Sequence, residues 1–262
     1  MGSDIHEAAA RGFAQATEAY EQGRPTYPPK AAERLERELQ LGPGRVVLDL
    51  AAGTGKLTAL LVGTGATVVA VEPVAEMRAV IERALPRVPV YAGTAEAIPL
   101  GAESVDAVTV GQAFHWFRAD EALAEIHRVL RPRGGLGLAW NVRDERVPWV
   151  ARLTEIMAPH RGDAPTHRTG AWREAFERTT LFGPLSHAEV RHVHRLTPEA
   201  VVARVASVSF VAALPEPERR RLLGEVRELL ATDPKTRGRA EVELPYRTDV
   251  YWAKRAWPAG TS

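Results

Sequence analysis

Asp49, Gly53, Gly55 and Glu72 are the residues whose types and spacing first point to a ligand site. They lie in the run Val46-Val47-Leu48-Asp49-Leu50-Ala51-Ala52-Gly53-Thr54-Gly55 and at the end of Val68-Val69-Ala70-Val71-Glu72. Two glycines two positions apart let the backbone turn tightly and approach a ligand that a Cβ would exclude. An acid closing the next apolar run, 23 positions after Asp49, is placed to accept hydrogen bonds from both hydroxyls of a ribose. The ligand this implies carries an unphosphorylated ribose. The loop reads Asp-x-Ala-x-Gly-x-Gly instead of Gly-x-Gly-x-x-Gly, and Lys56 lacks the spacing of a phosphate loop, so a pyrophosphate ligand is disfavoured.

A second cluster, Gly111-Gln112-Ala113-Phe114-His115-Trp116-Phe117, puts three aromatics and one histidine in four positions. Its place after the fourth strand is where open α/β sheets collect ligands. Phe114, Trp116 and Phe117 either wall a pocket or pack as core under the next helix. His115 titrates in the range of a general base, and it is equally readable as a structural histidine held by a backbone carbonyl. Trp140 and Asn141 leave a later strand on the same side and are candidates to face a substrate, with core packing the other reading of Trp140. His160, Asp163 and His167 offer three metal donors within eight residues, but the spacing fits no helix or strand face and no metal is assigned.

The elements that must position these residues alternate. Strands are expected at 46–50, 67–71, 88–92, 104–110 and 134–140, with helices at 30–40, 55–63, 74–84 and 119–130. A helix at 5–21 precedes them, and the Gly- and Pro-rich segment 23–29 forms a stiff connection. Such alternation implies a parallel sheet with right-handed crossovers. Beyond residue 144 the composition changes: helices at 147–157 and 172–178, a strand at 186–196, helices at 198–214 and 217–231, and a final strand at 242–252. Leu222, Leu223, Val226, Leu229 and Leu230 give the last helix an apolar face, suited to core packing or a dimer contact.

Four blocks, in order and spacing, resemble the class I methyltransferases that use S-adenosylmethionine. They are residues 47–55, Val71-Glu72-Pro73, Gly93-Thr94-Ala95-Glu96-Ala97-Ile98-Pro99-Leu100, and Arg128-Val129-Leu130-Arg131-Pro132-Arg133-Gly134-Gly135. Gly23-Arg24-Pro25-Thr26-Tyr27-Pro28 and residues 112–117 further resemble the small-molecule branch that includes trans-aconitate-type enzymes. The resemblance implies a seven-stranded, mostly parallel doubly wound sheet with an antiparallel edge strand and a helical lid. It divides the chain into 1–45 covering the cofactor, 46–144 as its binding core, and 145–262 as edge strands (186–196 and 241–254) with the inserted lid.

By the same resemblance, Asp49 and the backbone of Gly53, Thr54 and Gly55 hold the methionine portion of S-adenosylmethionine, Asp49 directly or by fixing the loop or through water, and Ala51 borders the cofactor. Glu72 with Pro73 holds the ribose, and Thr94, Ala95 and Glu96 the adenine edge, where many relatives carry an acid in place of Thr94. Met77 packs on the adenine or stays in the core, and Gln112 borders the cofactor. Tyr20 and Arg24 close the pocket, Arg24 by pairing with the methionine carboxylate, the other reading being a solvated loop arginine at 24 and a packing residue at Tyr27. Tyr27, His115, Trp116, Trp140 and Asn141 face the acceptor, with His115 the candidate base. Ala51 stands where a glycine is common.

The 262 residues, 45% hydrophobic, suffice for one domain with a cap. A net charge of +1 with dispersed arginines argues against a nucleic-acid partner. The absence of cysteine excludes disulfides, thiolate zinc sites and cysteine nucleophiles. No signal-like N-terminus or membrane-length apolar run stands out, so a cytoplasmic protein is expected, monomeric or homodimeric, acting on a small-molecule methyl acceptor. The alternatives are a cofactor-binding protein with a non-methylating role and a nicotinamide-dependent dehydrogenase, which the missing Gly-x-Gly-x-x-Gly opposes.

Overall fold

The computed structural model describes residues 25–162 and 166–256, so the expected helix at 5–21, with Tyr20 and Arg24, lies outside the described residues. In chain order, α1 (Pro29–Leu39) leads into β1 (Val46–Leu50), α2 (Lys56–Val62), β2 (Thr67–Val71), α3 (Ala75–Ala84) and β3 (Val90–Tyr91). Next come β4 (Val105–Gly111), α4 (Ala119–Val129) and β5 (Leu130–Arg143). Then follow α5 (Pro148–Met157), α6 (Glu174–Arg178), β6 (Ser186–Leu196), α7 (Pro198–Ala206), α8 (Ser209–Ala212), α9 (Glu216–Thr232) and β7 (Val242–Lys254).

The strands form one sheet in the order β3-β2-β1-β4-β5-β7-β6, parallel from β3 through β5 and antiparallel toward the β6 edge. The chain starts at β1, moves outward to β3 and returns to β4 beside β1. The direction of progress therefore reverses between β1 and β4, where the carboxyl ends of open α/β sheets bind ligands. Val47, Leu48, Leu50, Ala107, Val108 and Val110 in β1 and β4 are fully buried, as the unbroken apolar runs of a sheet covered on both faces require.

Where boundaries differ from the sequence expectation, proline or local hydrogen bonding accounts for it. The strand expected at 88–92 is only two residues long, because Pro89 cannot donate to the ladder. The strand expected at 134–140 begins at Leu130, paired with Val105, and the next pair is Ala107 with Gly135. The intervening Arg131, Pro132, Arg133 and Gly134 form a bulge in which Arg133 takes φ +65°. The helix expected over 198–214 is split into α7 and α8. Ser207 gives its hydroxyl to the Arg204 carbonyl (2.9 Å), and Val208 is extended.

The chain divides into two compact units. The larger holds residues 26–140, 166–190 and 248–256 among those described. In it Leu35 and Leu39 of α1 and Leu57 and Leu61 of α2 pack on Val47, Ala107, Ala139 and Val250 of the sheet. At the amino ends of its strands Asp106 accepts from the Val46 N–H (2.8 Å) and pairs with Arg131 (2.8 Å) and Arg45 (3.3 Å). The smaller unit holds residues 25, 141–162 and 191–247. Its core joins α5, α7 and α9 to Val242, Leu244 and Tyr246 at the start of β7. Leu222, Val226 and Leu230, spaced i, i+4, i+8, turn inward, so the apolar face of α9 is core. Among the described residues no helix is long and apolar enough to cross a membrane.

Candidate active site

The β1 loop enters the left-handed region three times, at Ala51 (φ +55°), Gly53 (φ +60°) and Gly55 (φ +87°). Glycine accepts this freely, whereas Ala51 carries its Cβ into it at a cost of about 1–2 kcal/mol. A Cβ on Gly53 would project into open space, and one on Gly55 would press on Ile81 Cγ1 at 3.1 Å. Gly53 therefore leaves bare backbone beside open room, the geometry a ligand needs for close approach.

Glu72, at the carboxyl end of β2, is buried and ties this loop to its neighbour. One carboxylate oxygen accepts the Gly53 N–H and the other the Val74 N–H, both at 2.9 Å. Burial pushes the Glu72 pKa up, while the Val74 and Gly53 amides and the Arg78 charge pull it back. Arg78 also donates to the carbonyls of Glu72 (3.0 Å) and Pro73 (2.8 Å), fixing the turn into α3. Pro73 is exposed and Met77 is buried one turn into α3.

Asp49 has no solvent exposure. Thr58 of α2 donates its hydroxyl to Asp49 Oδ2 at 2.6 Å, and Thr109 of β4 donates to Oδ1 at 3.3 Å. Burial pushes the Asp49 pKa up to about 7 against the pull of both hydroxyls, and the nearby Glu72 charge adds to the rise. Asp49 thus joins β1, α2 and β4 beneath the loop.

The loop after β3 turns at Thr94, whose carbonyl accepts the Ala97 N–H at 3.3 Å. Thr94 is half-buried and Ala95 buried. Glu96 accepts the Arg118 N–H (2.9 Å) just before α4. From within α4, Glu125 accepts the Ile98 N–H (3.0 Å), and Arg128 donates to the Ile98 (3.0 Å) and Leu100 (2.8 Å) carbonyls.

After β4, Gln112 takes φ +62° and gives its N–H to Ala139 (2.8 Å). Tyr27 is buried over Gly111, where an added Cβ would lie 2.5 Å from its hydroxyl oxygen. A 3-10 turn, Phe114–Trp116, follows. Phe114 is core, against Phe117, Phe176 and Trp172 at 5.4–6.1 Å between centroids. Trp116 is half-buried beside His115 (5.2 Å), and His115 Nδ1 accepts a hydrogen bond from Trp140 Nε1 at 3.2 Å. Trp140 is itself buried, stacked on His167 at 4.4 Å and packed against Trp172 and Tyr251. Asn141 belongs to the smaller unit, where it donates to the Pro25 carbonyl at 3.3 Å.

The parallel topology thus brings Ala51, Gly53, Thr54, Gly55, Glu72, Pro73, Thr94, Ala95, Glu96, Gln112 and His115 to the loops at the carboxyl ends of β1 to β4. Sequence reading missed Thr58, Thr109, Arg78 and Arg128, which brace those loops, and the buried partners Trp172, Tyr251 and Asp249. Only Asp49 gave a local hint, because a carboxylate inside an apolar strand requires hydrogen-bonding partners. Among the described residues no group of three or more His, Asp or Glu side chains is arranged to hold a metal.

A doubly wound sheet of this order, with a glycine loop after its first strand and an acid closing its second, is a nucleoside-binding enzyme fold. Residues 48–138 match the family described as Methyltransferase domain. An uncharacterised methyltransferase of Mycobacterium tuberculosis is 45% identical over 239 residues, covering 90% of this chain and 92% of its own. A solved structure described as a putative type II methyltransferase from Anaeromyxobacter dehalogenans is 26% identical, with a TM-score of 0.67 over 88% of this chain and 97% of its own. A geranyl diphosphate C-methyltransferase of Streptomyces coelicolor, crystallised with S-adenosyl-L-homocysteine, shares the fold at 14% identity. Its TM-score is 0.51 over 87% of this chain and 76% of its own. The chain belongs to the class I S-adenosylmethionine-dependent methyltransferases.

Proposed function

We propose that this protein binds S-adenosylmethionine across the loops of β1 to β4 and transfers its methyl group to a small-molecule acceptor. The observation that carries the reading is Glu72, a buried carboxylate that spans Gly53 and Val74 beside the open backbone of Gly53. Each carboxylate oxygen accepts one amide and retains a second lone pair for a ribose hydroxyl. Thr94 accepts through its hydroxyl at the adenine edge beside Ala95 and Glu96, with Met77 packed below. Asp49 acts by holding the loop, since its oxygens are engaged by Thr58 and Thr109. Tyr27 and Trp116 border the acceptor. Tyr20 and Arg24, outside the described residues, remain part of the proposal only through the sequence resemblance.

When bound, S-adenosylmethionine supplies an already electrophilic methyl group for in-line displacement. The chain's own task is to align the acceptor and exclude water. Alignment is worth roughly 7–11 kcal/mol of barrier, against the hundredfold to ten-thousandfold typical of a general base. Positioning therefore dominates. The test is release of S-adenosylhomocysteine with pooled small alcohols, amines, phenols and carboxylic acids, run beside protein and oligonucleotide pools. Release with a small-molecule pool supports the reading, and release with macromolecules alone refutes the small-molecule part.

A further inference from the structure

We infer that Trp140 is a positioning residue that holds His115 in its Nε2–H tautomer. His115 is then a hydrogen-bond donor toward the acceptor and not its base, and the acceptors selected are those whose reacting group needs no proton removed. The role of His115 rests on the methyltransferase reading above, whereas the tautomer rests on geometry alone.

Trp140 Nε1 lies 3.2 Å from His115 Nδ1. An indole N–H only donates, so Nδ1 offers a lone pair and the proton of the neutral imidazole sits on Nε2. Trp140 has no room to turn away. It is 1% exposed, stacked on His167 at 4.4 Å and 29°, against Trp172 at 4.6 Å, with Tyr251 edge-on at 5.8 Å. Those neighbours are themselves held. Arg173 donates to the Tyr251 hydroxyl and lies 5.0 Å from its ring centroid, and His187 stacks on Tyr251 at 4.3 Å. Buried Asp249 faces both His187 (3.3 Å) and His167 (3.7 Å).

For His115 to act as a base through Nε2, its proton must move to Nδ1, where two N–H donors would then face each other at 3.2 Å. Losing one buried hydrogen bond disfavours that tautomer by about 10–100-fold. Such a factor removes much of what a general base typically gives, about a hundredfold to ten-thousandfold. In the donor role no proton reaches His115. The acceptor's lone pair forms the bond to the methyl carbon while the carbon–sulfur pair returns to sulfur.

The experiment is NMR on the full chain with 15N-labelled histidine and tryptophan, with His115 identified by its loss in His115→Gln. Expected are a coupling across the hydrogen bond between Trp140 Nε1 and His115 Nδ1, and a proton on Nε2. Trp140→Phe, which keeps a ring in the stack, should abolish the coupling and leave mixed tautomers, with S-adenosylhomocysteine affinity changed less than about threefold. A proton on Nδ1 in the wild type overturns the inference, and so does an unchanged tautomer in Trp140→Phe. If that variant does not fold, the wild-type coupling still decides. Failure of the wild type to bind S-adenosylhomocysteine would overturn the proposed function and leave the tautomer result standing. With an acceptor found by the release assay, His115→Gln keeps a donor without basicity and should retain turnover within about tenfold. A loss of a hundredfold or more would overturn the donor role.

Discussion

Replacing Asp49 with asparagine isolates a carboxyl that has no solvent exposure beneath the site. Its pKa rises from 3.8 to about 7 on folding, chiefly through burial. Between those values the folded state keeps a proton that the unfolded state has lost. Stability therefore falls as pH rises through the window and levels off above about pH 7. At about 1.4 kcal/mol per unit, the full change is on the order of 4 kcal/mol. Asparagine has the same shape, can still accept one of the Thr58 and Thr109 hydroxyls through its single carbonyl oxygen while its amide N–H donates to the other, and does not titrate. The stability of Asp49→Asn relative to wild type should thus grow by about 1.4 kcal/mol per pH unit from about pH 4 to 7, then stay constant. Urea unfolding of both proteins from about pH 5 to 8.5, followed by fluorescence, measures this. Glu72, whose pKa is also raised by burial, is present in both proteins, so its own burial contribution largely drops out of the difference and only its coupling to Asp49 remains. A difference independent of pH would refute the reasoning, because Asp49 would then ionise at its ordinary value inside the fold.

Gly111→Ala places a Cβ 2.5 Å from the Tyr27 hydroxyl oxygen and should destabilise the larger unit by about 1–3 kcal/mol, read by urea unfolding. Tyr246 of the smaller unit is 2% exposed and its hydroxyl has no hydrogen-bond partner among the described residues. Tyr246→Phe removes that unmet polar group and should raise stability by about 1 kcal/mol, where loss of stability would show that the hydroxyl is satisfied.

The elements that sequence placed best are those whose signals are local. β1 and β2 fall at 46–50 and 67–71 as expected, because each is an apolar, β-branched run bounded by turn residues. The Glu72 position was legible for the same reason: it closes a strand at a recognisable distance from the glycine loop. What stayed hidden depends on residues distant in sequence. Thr109 lies 60 positions from the Asp49 it bonds, and its pairing follows from β4 lying next to β1 in register. Trp140 read as either substrate wall or core, and only the arrival of His167, Trp172 and Tyr251 from later segments makes it core. The split of α7 from α8 has no glycine or proline to announce it, since the competing bond comes from Ser207.

Calorimetry of S-adenosylmethionine and S-adenosylhomocysteine on wild type and Glu72→Ala tests the central claim most directly. Binding to the wild type that weakens by about 10–150-fold in the variant is predicted, the scale of hydrogen bonds to a charged group. No binding to the wild type, or equal binding by both proteins, would contradict the placement of the cofactor on Glu72.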